Sequence, residues 1–146
     1  MAIWGYLLFA LAAGAMLPIQ FGINAQLAEW IGGSVRAAFV SFVVGAVALF
    51  VAVLFAARGW PDRAGEAPWW VWTGGLLGAF YVLGSIVTAP RLGAATLVAL
   101  ILAGQAIASV LVDHFGWVGF EEQPLTLLRV VGILLLAAGV LLVRLS

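Results

Sequence analysis

Five stretches of this chain, 3–28, 35–57, 69–88, 92–112 and 125–143, are long and apolar enough to cross a bilayer as helices. A hydrocarbon core is spanned by about 20 predominantly apolar residues. Inside it every backbone N–H and C=O must find a partner within the protein, which leaves only helices or closed barrels. Barrel strands are about 10 residues long and alternate apolar with polar. These runs are unalternating and rich in Leu and Ala. The expected fold is therefore an all-α integral membrane protein with five transmembrane helices. The connectors 29–34, 58–68, 89–91 and 113–124 are too short to hold a soluble domain, so residues 1–146 are expected to form a single transmembrane domain in a lipid bilayer.

Composition agrees. The chain is 66% hydrophobic and 8% charged, against roughly 25% charged for a soluble domain. Its net charge is zero, so no basic surface for nucleic acid is expected. With no cysteine and one histidine, His114, disulfides, thiol catalysis and Cys-ligated metals are excluded. No metal-ligand cluster, phosphate-cradling glycine loop or nucleophile–base pair is present, so neither a cofactor nor a metal is expected, and the chain does not read as an enzyme. The apolar N-terminal run has no Lys or Arg before it and is longer than a signal-peptide core of about 7–15 residues. It reads as the first span.

Tryptophan gathers where bilayer meets water, because its ring is apolar with one polar edge. Trp4, Trp30, Trp60, Trp69, Trp70, Trp72 and Trp117 all fall at the ends of the expected spans or beside them. Orientation, by contrast, is not encoded. Arg and Lys in short loops set which way a membrane protein inserts. With five spans, Arg58, Arg63 and Arg129 lie on one side and Arg36, Arg91 and Arg144 on the other. Such a balance fits a chain that inserts both ways and pairs with an inverted copy. It equally fits chance, or orientation by a partner subunit or the N-terminal amine.

Residues three or four apart share a helix face. On that spacing Gln20 and Asn24 lie together in the first span beside Pro18, Tyr81 and Ser85 in the third, and Gln105 and Ser109 in the fourth, with Asp113 continuing the line. Thr96 falls on the opposite side of the fourth span. These polar groups either line a shared cavity or join helix to helix. The small residues Ser34, Ala38, Ser41, Gly45, Ala48 and Ala52 form a stripe along the second span that reads as a packing seam. The fifth span offers only Gly132 and Gly139 and reads as scaffold or dimer contact. No ionisable residue lies near a span centre. Glu29, Arg36, Arg91 and Asp113 sit near span ends, where they are either coupling or mouth residues or interfacial anchors.

Several motifs follow one another along the chain: Pro18-Ile19-Gln20-Phe21-Gly22-Ile23-Asn24, Ala37-Ala38 with Ser41-Phe42 and Gly45, Gly74-Gly75 with Gly78 and Phe80-Tyr81, Ala89-Pro90-Arg91 with Gly93, Gly104-Gln105, and Asp113-His114 with Gly116-Trp117. Together they resemble the YdcZ-like family of small five-span proteins within the drug/metabolite transporter superfamily. The resemblance covers nearly the whole chain. It implies a half-size transporter of the bacterial inner membrane. Larger members fuse two inverted repeats with the substrate site between them. A five-span chain would complete that path as an antiparallel homodimer, moving an unidentified small polar or amphipathic solute by alternating access. The family also includes oppositely oriented subunit pairs and fusions. The related four-span multidrug exporters carry a glutamate inside the first span. Gln20 and Asn24 stand in that span here, so proton-coupled export of lipophilic cations through such an acid is not expected. A passive channel of antiparallel copies and a non-transporting scaffold or accessory subunit remain alternatives.

Overall fold

The structure, a computed structural model, describes residues 2–56 and 62–145. Among them it contains no strand. The long helices are α1 (Ala2–Ile31), α2 (Ser34–Ala56), α3 (Gly74–Leu92), α4 (Ala94–Phe115) and α5 (Leu127–Leu145), with 3-10 turns at Asp62–Glu66, Trp69–Thr73 and Trp117–Gly119. Counting the 3-10 turn that leads into α3, the five spans run 19 to 29 residues and are apolar enough to cross a membrane. The protein is thus an all-α, five-helix membrane protein, as the sequence pattern requires. Its helices expose Leu, Phe, Val and Ile along most of their length, a surface whose solvent is lipid.

The chain divides into two compact units, Met1–Arg91 and Leu92–Ser146. In the first, α1 and α2 form a hairpin around Gly32 (φ 72°) and Gly33 (φ 152°). Both angles lie where a side chain would clash and glycine does not. The Gly33 N–H donates to the Ala28 carbonyl at 2.8 Å, closing the end of α1. Arg36 adds a second cap, its Nη1 donating to the Ile31 carbonyl at 3.0 Å. Immediately beyond the turn, Ala37 and Ala38 are buried with Val82 and Ile86 of α3, and Leu27, Ala28 and Ile31 pack against them. The alanines let large side chains of α1 and α3 reach the centre.

Further along, Phe42 lies over Gly78, where an added Cβ would sit 3.4 Å from its ring. The early part of α2 thus meets the late part of α3 and the reverse, so α2 runs antiparallel to α3 and α1 parallel to it. The small stripe on α2 is used unevenly. Ser34, Ala38 and Ser41 are at least half-buried, whereas Gly45, Ala48 and Ala52 are exposed. Only the half of this stripe nearest the hairpin packs.

A turn is expected at 89–91, but the helix continues through it. α3 runs to Leu92 with Pro90 inside it, and the break comes at Gly93 with φ 75°. The reason is local. Proline removes one N–H near a helix end and its fixed φ is helical, so it does not force a stop. Gly93 supplies the positive φ that does. Pro18 is different, since it lies mid-helix, where proline is disruptive. Membrane spans tolerate such a residue where neighbouring groups satisfy the freed carbonyl, and α1 continues through it as one helix of 30 residues. At 1.5 Å per residue that is about 45 Å, long enough to carry Glu29 and Trp30 out of a core about 30 Å thick.

In the second unit α4 ends at Gly116, whose N–H reaches back to the carbonyls of Val112 and Asp113. Gly116 and Gly119 have positive φ, and so does Val118 at 51°. A β-branched residue in this region is strained. The loop folds back so that the Gln123 N–H donates to the Asp113 carbonyl at 2.8 Å. Arg129, in the first turn of α5, places Nη1 3.3 Å from the Asp113 carboxylate and donates from Nη2 to Gln123 Oε1. α4 and α5 then pack along an open apolar groove of about 420 Å³ that includes Gly132 and Gly139.

The tryptophans mark the helix ends. Trp4 and Trp30 lie near the two ends of α1, Trp69, Trp70 and Trp72 in the turn that opens α3, and Trp117 just after α4. All six are exposed. Trp60 and Arg58 lie outside the described residues, as does the side chain of Arg63.

Candidate functional site

The polar residues singled out by spacing fall into two groups, one in each unit. In the first unit α1 and α3 meet through Phe21 and Tyr81, whose rings stand edge to face with centroids 6.0 Å apart. Asn24 lies one turn beyond Phe21 and Ser85 one turn beyond Tyr81. Because the helices are parallel, both polar side chains follow the aromatic contact in the same direction. Both are buried, Asn24 to 4% exposure and Ser85 to 2%. Gln20 and Tyr81 are half-buried beside them.

Their hydrogen bonding differs in a way that matters. Ser85 Oγ donates to the Val82 carbonyl of its own helix at 2.7 Å, so its proton is already used. Thr88 does the same with Gly84. Asn24 Nδ2 and the Tyr81 hydroxyl are buried and have no hydrogen-bond partner. An unpartnered buried donor costs about 1–3 kcal/mol, and most buried polar atoms in folded proteins do have partners. These two groups stand on facing helices at one aromatic contact, the hydroxyl on Tyr81 itself and the amide one turn beyond Phe21.

In the second unit Gln105, Ser109 and Asp113 line one groove of about 290 Å³ with Val118 and Phe120. This is the polar line expected along α4, closed at one end by the strained loop. Ser109 Oγ donates to the Gln105 carbonyl at 2.7 Å, so it too presents only its acceptor. Gln105 and Ser109 are exposed, whereas the opposite face of α4 buries Thr96 and Leu97.

The four ionisable residues near span ends have different surroundings. Asp113 pairs with Arg129. Arg36 caps α1. Glu29 and Arg91 are exposed and line a common cleft of about 320 Å³ between the C-terminal ends of α1 and α3. Among the described residues no group of three or more His, Cys, Asp or Glu could hold a metal.

Spacing alone does not point to Phe21 or Arg129. Arg129 is the most recoverable, since opposite charges at the two ends of one connector, Asp113 and Arg129, invite pairing. Phe21 is hidden among apolar neighbours.

The family described as "Putative inner membrane exporter, YdcZ" matches residues 5–142. The chain belongs to this family. It is also 32% identical over 112 residues to the "Inner membrane protein YdcZ" of Escherichia coli (strain K12), covering 75% of this chain and 74% of that one. No solved structure matches the chain. Membership in the YdcZ exporter family and the five membrane-spanning helices make this a multi-pass inner-membrane protein of the transporter type. The family points to movement of a solute and not to bond chemistry.

Proposed function

We propose that the protein works as an antiparallel homodimer, two copies inserted in opposite orientations, that moves a small polar or amphipathic solute by alternating access. Asn24 and Tyr81 contact the solute through neutral hydrogen bonds, with Gln20 and Ser85 beside them. Gln105 and Ser109 form the polar wall of the second unit. Glu29 and Arg91 stand at a mouth. One observation carries solute contact: Asn24 Nδ2 and the Tyr81 hydroxyl are buried without partners. Residues that only joined helix to helix would be bonded to each other.

Two features support the inverted pairing. An odd number of spans puts the termini on opposite sides, and the arginines divide three against three, leaving the chain without a strong instruction for one orientation. A two-fold axis in the membrane plane would then give the pair the symmetry of an inverted repeat, whose solute sites lie near the bilayer midplane.

Vesicles reconstituted with purified protein and loaded with a panel of radiolabelled metabolites test this reading. Alternating access predicts saturable uptake with counterflow, lost in Asn24→Leu. Unitary conductance steps in a planar bilayer would replace it with a channel. Unchanged flux in Asn24→Leu and Tyr81→Phe would remove these residues from the path.

A further inference from the structure

We propose that the cleft between the C-terminal ends of α1 and α3 binds a small zwitterion, a molecule carrying an ammonium and an oxyanion a few bonds apart. Glu29 takes the ammonium and Arg91 the oxyanion. The proposal deepens the transport reading by naming a solute class at its mouth, and it relies on that reading only for what binding is for.

The cleft holds about 320 Å³ and includes Ala25, Ala28, Glu29, Ile86, Pro90 and Arg91. That is near the lower end of the range of small-molecule sites, about 300–1,000 Å³. It carries one carboxylate and one guanidinium. Among the described residues neither side chain makes an ion pair or a hydrogen bond. Two unpaired opposite charges on one cleft leave both open to a ligand. At a membrane boundary, where the dielectric falls, an unpaired charge is disfavoured more than in water. A lone cation or anion would satisfy one residue and leave the other.

The site therefore offers the carboxylate of Glu29 as acceptor and the forked donors of Arg91, which suit a carboxylate or phosphate. Ala25, Ala28, Ile86 and Val87 make much of the rest apolar, with Ser34 the other polar side chain, which suits a short hydrocarbon portion.

Amino acids and the phosphoethanolamine headgroup share this chemistry. The test uses the full chain in a nonionic maltoside detergent, with leucine, glycine and γ-aminobutyrate as zwitterions. Leucine methyl ester serves as the cation, N-acetyl-leucine as the anion, and dihexanoyl phosphatidylethanolamine as the lipid form. Ligand that binds only the folded state raises its melting temperature. The expected result is stabilisation by at least one zwitterion at about tenfold lower concentration than by either single-charge leucine derivative, consistent with loss of one charge-assisted contact. Stabilisation by the amino acids assigns the site to soluble solutes, and by the lipid alone to a headgroup.

Glu29→Gln is expected to weaken zwitterion binding about tenfold while leaving N-acetyl-leucine unaffected. Arg91→Gln is expected to do the reverse, sparing the methyl ester. Both side chains are exposed, so the unliganded melting temperature checks that each variant folds. No shift with any zwitterion, or equal shifts in wild type and both variants, overturns the proposal. Its failure is separable from that of the transport reading. Zwitterion shifts that neither variant weakens end the cleft proposal whatever the flux does. Variant-sensitive zwitterion binding with no flux of any solute in the vesicle panel keeps the cleft and ends the transport reading.

Discussion

At the residue scale the informative groups are those whose chemistry is left unfinished. Asn24 Nδ2 and the Tyr81 hydroxyl are buried without partners, so deleting them removes a cost and not a bond. Asn24→Leu is expected to leave the melting temperature unchanged or raise it, by about 1 kcal/mol of stability, while solute flux falls tenfold or more. A structural amide would give the opposite, lower stability, and thermal melts beside vesicle flux separate the two. The loop after α4 makes a matched pair of predictions. Val118 sits at φ 51°, and Val118→Gly should stabilise by about 1 kcal/mol by relieving that strain. Gly116 sits at φ 60°, where an added Cβ would meet Glu122 Cγ at 2.7 Å. Gly116→Ala should destabilise by about 1–2 kcal/mol. Denaturation in mild detergent reads both. Spacing made Asn24 and Tyr81 legible as members of polar faces. It could not show which hydroxyls were already satisfied, because that depends on rotamers: Ser85 and Ser109 turn back onto their own helices and Tyr81 is too long to do so.

At the scale of elements, the helices were legible because a bilayer imposes length and apolarity on each span. Their ends were less so. Pro90 reads as a stop in the sequence, yet one missing N–H near a helix end is a small loss, and the backbone turns only at Gly93. The tie between α4 and α5 was legible only as two charges, Asp113 and Arg129. Their side chains are about one-quarter exposed and 3.3 Å apart, and the Arg129 Nη1 atom makes no hydrogen bond. The pair is thus held by charge more than by alignment. Its coupling in a double-mutant cycle with Asp113→Asn and Arg129→Gln is expected to be about 0.5–1 kcal/mol. The value should shrink at high salt. No coupling would mean that the Gln123 contacts alone hold the loop.

At the scale of the whole molecule, composition decides the solvent, and the arginines leave orientation open. The chain carries six arginines and no lysine, three to a side. A balance so fine should be easy to tip. Arg63→Gln leaves two against three, and the positive-inside tendency then predicts a shift toward the orientation that keeps the heavier side cytoplasmic. The absence of cysteine makes orientation directly measurable, since one introduced thiol is the only one. Glu121→Cys, exposed in the loop before α5, can be labelled in intact cells with a membrane-impermeant maleimide, then again after permeabilisation. An antiparallel homodimer predicts that about half the protein is labelled from outside and the remainder only once the membrane is opened. Labelling that is complete, or absent, before permeabilisation would show a single orientation and contradict the account.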